Sequence, residues 1–287
     1  MYICPICKQK LNILGNKYVC DKNHSFDLAR QGYVNLLPVT SKKSLNPGDN
    51  DLMTNARREF LAGGYYDKLL NRICTILKEN EVKILVDSGC SEGYYTRQMA
   101  TVCQEVYAYD ISKSAVKLAS ATDKSSHYFV ASAFHIPLKN ASANAITKIF
   151  APDSPKEFAR VLSENGILIE VIPAEEHLLE IKQKLYENVY LNKVEKAEKE
   201  EFEIVKEERL KYSFTPTKDG LDNLFKMTPY YYKTAKSGEN ILLTSETFSI
   251  TADFILRTYK KSNNFTKVKY CKKIIDNYLF NDYNIIG

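Results

Sequence analysis

The 287-residue sequence has no apolar stretch long enough to cross a bilayer. It opens on Met1-Tyr2-Ile3-Cys4, straight into a cysteine motif, with no signal-peptide pattern. Both absences lead us to expect a cytoplasmic protein with no membrane partner. The chain also lacks an even number of cysteines. Seven thiols in a reducing compartment argue against a disulfide framework, and Cys74, Cys90, Cys103 and Cys271 lie scattered in apolar or helical context as inert packing residues. No internal repeat is visible, which excludes a solenoid. The dinucleotide fingerprint G-x-G-x-x-G is missing as well, so a pyrophosphate-binding turn has no support.

A different glycine turn is present. Residues 83–88, KILVDS, form a short apolar run ending near Asp87, as a buried parallel strand does. Gly89 and Gly93 follow, then helical spacing in YYTRQMATVC, then a second apolar run, EVYAYD, closing on Asp110. In a strand–turn–helix–strand unit of this kind the glycines let a ligand approach the backbone, and the terminal carboxylate takes the two hydroxyls of a ribose. The turn is acidic, with Asp87 and Glu92. Carboxylates repel a pyrophosphate but suit a cofactor carrying an ammonium and a sulfonium, such as S-adenosylmethionine. The plain alternative is a βα turn with no ligand, and Asp110 weighs against it.

The first 24 residues carry Cys4, Cys7, Cys20 and His24 in the spacing C-x2-C-x12-C-x3-H. Two thiolates turned to one point by a C-x2-C knuckle, completed by a second short-spaced pair, suit a tetrahedral Cys3His zinc site. All four ligands come from the protein, so the metal is expected to be structural and to supply folding energy to a segment without a core of its own. Chance cysteines and a redox pair are the alternatives.

Charge is uneven. Residues 1–45 hold Lys8, Lys10, Lys17, Lys22, Arg30, Lys42 and Lys43 against Asp21 and Asp27, and residues 259–287 hold six lysines against Asp276 and Asp282. With a net charge of +5 overall, the body between is mildly acidic. Basic ends fit a polyanion such as nucleic acid; solvated lysine faces are the alternative.

Residues 25–48 read as a polar linker containing Pro38, Pro47 and Gly48. Residues 51–79 read as helix broken near Gly63-Gly64, and beyond the glycine unit strands alternate with helices: a helix near 112–120, a strand around 128–130, a strand over 143–150, helix SPKEFARVL, a turn at 164–166 and strand ILIEVIP. That alternation predicts a parallel, doubly wound α/β sheet. We expect a helix of about 12 residues from His177, an exposed helix or insertion at VEKAEKEEFEIVKEE, a strand near 209–214, a helix around 217–226 and a closing strand over 247–259. Tyr230-Tyr231-Tyr232 suits either base stacking or packing at the sheet edge.

With these features in view, the sequence resembles the bacterial 23S rRNA guanine-N1 methyltransferases of the RlmA type. The resemblance is carried by CPIC…C…H, FDLARQGYVNLLP, NPGD, ARREFLAGGYY, GCSEGYYT, IFAP, ARVLSENGILIEVIPAEEHLLE and KMTPYYYK, in order over roughly residues 1–258. It implies a Rossmann-like class I methyltransferase sheet with a small N-terminal zinc-binding module. The corresponding division is 1–36 as an RNA-recognition module, 37–62 as linker and helix, 63–259 as the S-adenosylmethionine-dependent domain, and 260–287 as a basic extension. It implies methyl transfer to N1 of a guanine in a 23S rRNA hairpin, zinc on Cys4, Cys7, Cys20 and His24, and cofactor contacts from Tyr66, Ser91, Glu92 and His177; it also points to a homodimer. The pattern reading adds Asp87, Gly89, Gly93 and Asp110. The chain departs from the family at Ser91, where members usually have glycine.

N1 of guanine lies on the Watson–Crick edge and carries a proton, so the base must be unpaired or extruded and the proton accepted. In IFAPD, at the carboxyl end of a strand, Phe150 and Pro152 are expected to pack the base. Asp153 is either the proton acceptor or the N-cap of the following helix, the cap being the plainer role. The basic residues of the first module, extended by Arg57 and Arg58, are expected to grip phosphates. A small-molecule methyltransferase with a structural zinc module, or a non-catalytic rRNA-binding relative, would share much of this pattern.

Overall fold

The computed structural model describes residues 1–38, 50–234 and 248–262. Strands β1 (Asn12–Leu14), β2 (Lys17–Val19) and β3 (Ser25–Asp27) form a three-stranded antiparallel ribbon. The chain then enters the main sheet as β4 (Val34–Asn35). Residues 25–38 are therefore no linker: they hold β3, paired with β2, and β4, paired with β7. Pro47, Gly48 and the rest of 39–49 lie outside the described residues, as does the basic stretch beyond 262.

Helices α1 (Asp51–Ala62) and α2 (Asp67–Glu79) follow, with Asn50 capping α1 by accepting from the Met53 amide. The break between them falls at the predicted glycines. In α2, Leu69, Leu70, Ile73, Ile76 and Leu77 recur at three- and four-residue spacing and are buried. The core unit is β5 (Ile84–Ser88), α3 (Tyr94–Met99), β6 (Glu105–Asp110), α4 (Lys113–Thr122) and β7 (His127–Val130). It is followed by β8 (Ala143–Ile149), α5 (Pro155–Val161) and β9 (Leu162–Pro173). The last elements are α6 (Leu179–Leu185), β10 (Phe202–Phe214), α7 (Lys218–Lys226), α8 (Tyr230–Lys233) and β11 (Ile250–Lys261).

Among the described residues these strands give an eight-stranded sheet in the order β10-β11-β9-β8-β5-β6-β7-β4. The neighbours from β9 through β4 are parallel, whereas β11 runs antiparallel to both β9 and β10. The sheet is mixed rather than wholly parallel. β5 lies where the chain order reverses, with β6 on one side and β8 on the other, and ligands bind at the carboxyl ends of strands at such a point.

Three local expectations are corrected. The turn at 164–166 belongs to β9, which runs from Leu162 with its register to β8 shifting between Ala143 and Ala145. The helix after His177 has 7 residues and starts at Leu179. The charge-rich stretch ends in β10, whose paired residues run from Phe202 to Phe214 against β11. Charged residues on its exposed positions masked the two-residue period.

The zinc segment shares its core with the sheet. Tyr2, Cys4, Leu11 and Cys20 pack in one apolar cluster with Val86, Tyr107 and Phe129. The Tyr2 ring meets Tyr18, Tyr107 and Phe129 edge-on at 5.2–5.6 Å. The Ile3 amide donates to the Pro137 carbonyl at 2.9 Å, and Lys139 N–H to the Met1 carbonyl at 3.2 Å.

Candidate active site and zinc centre

The glycine turn joins β5 to α3. Gly89 has φ +77°, and a Cβ there would come within 2.5 Å of the Ala151 methyl; Gly93 has φ +82°, and a Cβ would meet the Tyr128 hydroxyl at 2.8 Å. No side chain fits either position, so the turn lies tight against the loop after β8 at Gly89 and against β7 at Gly93. Ser91 between them also adopts a left-handed φ of +48°. Its amide donates to Asp110 Oδ2 at 3.0 Å, and the Ser112 amide donates to Asp110 Oδ1 at 2.8 Å. A carboxylate accepts up to about four hydrogen bonds, which is the chemistry that takes the paired hydroxyls of a ribose.

Asp87 is buried between Thr96 Oγ1 at 2.6 Å and Thr147 Oγ1 at 2.8 Å. Burial pushes its carboxyl up to about 6, against the two hydroxyl bonds and helped by the charges of Asp110 and Glu92. Glu92 is also buried, and its Oε2 has no hydrogen-bond partner. The turn thus gathers three carboxylates, and the charges of Asp110 and Glu92 bear on Asp87.

Tyr66 and His177, 111 residues apart, meet at 3.3 Å through the hydroxyl and Nε2. The Asp253 amide donates to Nδ1 at 3.3 Å, which places the ring proton on Nε2, facing the Tyr66 hydroxyl. Burial lowers His177 to about 3, so it is neutral at physiological pH. Phe150 packs on the His177 ring at 6.4 Å and 19° and touches Phe254 at 5.6 Å. It is 44% exposed at φ +52°, a left-handed backbone that a phenylalanine adopts only under constraint. Pro152 beside it is exposed.

Asp153 does not cap α5: the cap position is Ser154, without a side-chain bond. Asp153 Oδ2 instead accepts from Lys199 Nζ, while Oδ1 is buried and has no partner. Lys199 also pairs with Glu170 at 3.1 Å, and Glu170 takes Lys148 at 2.8 Å, Tyr259 at 2.9 Å and Arg257 at 3.4 Å. Burial opposes ionisation of Glu170, yet Lys148 and Lys199 hold it down at about 2. Sequence reasoning missed this cluster. Its signal was a single charge inside each of two apolar strands, Lys148 in ANAITKIF and Glu170 in ILIEVIP.

Arg57 departs from its expected place on an RNA surface, because its Nη1 donates to Ser91 Oγ at 3.0 Å, at the turn. Arg58 is exposed and paired with Glu59. Tyr230 packs against Tyr186, and Tyr231 against Phe225, favouring the packing role over base stacking.

The metal ligands converge. Donor atoms of Cys4, Cys7, Cys20 and His24 all lie within 4.8 Å of one another. Cys7 Sγ and Cys20 Sγ are 3.5 Å apart, and His24 Nδ1 lies 3.5 Å from Cys4 Sγ and 3.4 Å from Cys20 Sγ. Tetrahedral zinc, with bonds of about 2.3 Å to sulfur and 2.0–2.1 Å to nitrogen, sets these edges at about 3.5–3.8 Å. The donor set fits zinc, closed to substrate. Around it Lys8, Lys10, Lys22 and Arg30 are exposed.

The family pattern described as "RlmA, N-terminal", a zinc ribbon, matches residues 2–45, and that described as "Methyltransferase domain" matches residues 86–169. A relative in Micromonospora griseorubida, named "Putative 23S rRNA (guanine-N(1)-)-methyltransferase", is 32% identical over 208 residues, 63% of this chain and 68% of the relative. The chain belongs to the 23S rRNA (guanine-N1)-methyltransferase family. A Bacillus subtilis (strain 168) relative, "Putative 23S rRNA (guanine-N(1)-)-methyltransferase YxjB", is 29% identical over 88% of this chain and 94% of its own length. The "23S rRNA (guanine(748)-N(1))-methyltransferase" of Streptomyces fradiae is 30% identical over 62% and 65% respectively. As a methyltransferase the protein takes its methyl group from S-adenosylmethionine, and the acidic turn described above suits that cation. No described helix is long and apolar enough to cross a membrane.

Proposed function

We propose that this chain methylates N1 of a guanine in a hairpin of 23S rRNA, in the cytoplasm and as a homodimer. One observation carries the reading: a glycine turn ringed by Asp87, Glu92 and Asp110, with a buried carboxylate oxygen lacking a partner, in a chain whose relatives are named for this reaction. Residues 1–36 grip the RNA and residues 63–259 transfer the methyl group.

S-adenosylmethionine, when bound, supplies an electrophilic methyl on a sulfonium. Asp110 would hold the ribose hydroxyls, Gly89 and Gly93 keep the turn that faces the cofactor tight, and Asp87 and Glu92 would neutralise its cations. Ser91 positions the turn through Asp110, and Tyr66 and neutral His177 wall the pocket from the β11 side. Phe150 and Pro152 would pack the extruded guanine and fix the position of its N1, and positioning is where the protein can lower the barrier most. Asp153, with one oxygen held by Lys199 and the other without a partner, accepts the N1 proton.

The test is primer extension on 23S rRNA from cells with and without the gene. An N1 methyl blocks base pairing, so the reading requires a stop at one guanine that disappears with the gene; identical traces refute it. A metabolite methylated in place of rRNA would favour the small-molecule alternative. On the RNA side, reversing the charges of Lys8, Lys10 and Lys17 must weaken rRNA binding and flatten its salt dependence.

A further inference from the structure

The acidic turn explains how the cations of the cofactor are met, but S-adenosylmethionine also ends in a carboxylate. No acidic group of the turn can receive it. Arg57 reaches this turn from α1, donating Nη1 to Ser91 Oγ at 3.0 Å. The other guanidinium bonded to the turn, that of Arg97, donates to the Glu92 carbonyl at 3.2 Å and to Thr122 Oγ1 at 3.4 Å, on the α4 side.

Resting on the S-adenosylmethionine reading, we infer that Arg57 is the carboxylate anchor of the cofactor's amino-acid end, with Glu92 Oε2 as its ammonium anchor. Two observations support this assignment. An α-amino acid carries its ammonium and its carboxylate on one carbon. The turn likewise carries its two complementary charges at consecutive residues, Glu92 directly and Arg57 through Ser91. Glu92 Oε2 is buried in a residue only 2% exposed and has no protein partner. A buried acceptor left unmatched is costly, and an ammonium satisfies it.

The chemistry also selects among anions. A nucleic-acid phosphate at Arg57 would face Asp87, Glu92 and Asp110 with nothing to offer them, whereas a zwitterion matches both signs. A planar guanidinium suits a carboxylate by two parallel N–H···O bonds. Ser91 gains a role here as well. It adopts the left-handed φ of +48° and uses its hydroxyl to hold Arg57 over the turn, so less side-chain freedom is lost on binding. Ser91 is thereby a positioning residue for cofactor recognition.

Calorimetry on the full zinc-loaded chain tests this with two ligands, S-adenosylhomocysteine and its decarboxylated analogue, which keeps the amine. Arg57→Gln retains a donor to Ser91 Oγ and removes the charge. It is expected to weaken S-adenosylhomocysteine about 10- to 100-fold, as loss of a charged hydrogen bond does, and to leave the analogue's affinity unchanged. Arg57→Lys is expected to recover part of the loss. Equal weakening of both ligands by Arg57→Gln, or no weakening, overturns the assignment. If Arg57→Gln does not fold, Ser91→Gly frees the arginine without altering its charge, and the preference for the carboxylated ligand must then narrow; an unchanged preference overturns it. Wild-type protein that binds neither ligand overturns the cofactor reading itself, a separate failure.

Discussion

Replacing Asp87 with asparagine should stabilise the cofactor-free protein while crippling cofactor binding. The carboxyl rises from 3.8 to about 6 through burial. At about 1.36 kcal/mol per pH unit, ionising it in the folded, cofactor-free protein costs roughly 3 kcal/mol. Because the folded value is the higher one, the folded chain keeps a proton that the unfolded chain has released between about pH 4 and pH 6. The stability contributed by this group is therefore present below that window and lost as pH rises through it. An asparagine side chain cannot ionise and escapes the loss, less whatever is forfeited in its bonds to Thr96 and Thr147. Urea unfolding of both proteins from pH 4.5 to 8, at constant m, gives the comparison. Taking the difference cancels other titrating groups, His177 among them. The variant should gain on the wild type as pH rises, by up to roughly 3 kcal/mol, and its affinity for S-adenosylmethionine should fall at pH 8. A difference that stays flat with pH refutes the argument, for it would mean that Asp87 is already ionised at no cost.

Other outcomes follow from the same geometry. Cys20→Ser should abolish zinc by elemental analysis and lower the melting temperature of the whole chain by at least about 10 °C, because Cys4 and Cys20 pack in one cluster with Val86 and Phe129; a separate, unshifted melt for the methyltransferase domain would refute the shared core. Glu170→Gln should cost about 3–5 kcal/mol at pH 7 by removing the buried carboxylate that Lys148, Lys199 and Arg257 share. With Glu170 held at about 2, below its ordinary 4.5, that penalty should shrink as pH falls through the interval between them, as read by denaturant unfolding. Phe150→Gly relieves a left-handed backbone and so should leave the melting temperature level or higher, yet weaken rRNA hairpin binding by the equivalent of about 1–3 kcal/mol of base stacking in a filter-binding assay; unchanged RNA affinity would remove Phe150 from the base pocket.

Much of this molecule was legible because its strongest signals are local. The C-x2-C knuckle, the Gly89–Gly93 turn and the run ending at Asp110 each sit within a few residues, and short-range sterics fix them. The alternation of β5 through β9 with helices was equally readable. What escaped depends on distant partners. β4 is two residues whose strand character comes only from β7. The first half of β10, residues 202–208, hides its period under surface charge and is fixed by its register with β11, whereas the strand near 209–214 was readable. The ion cluster around Glu170 needs four separate segments, and Arg57 was assigned to the RNA face because α1 alone cannot say that Ser91 lies 3.0 Å away.

The seating of Tyr2 among Tyr18, Tyr107 and Phe129, together with the passage of the chain through β4 into the sheet, leaves the ribbon no swivel. Its lysines stand at a set span from Phe150, like the fixed jaw of a caliper. If, as proposed, the ribbon grips the RNA and Phe150 packs the target base, the RNA must do the adjusting: a loop of the right height would deliver its guanine to the methyl donor, and one a step too short or too long would be gripped without being modified.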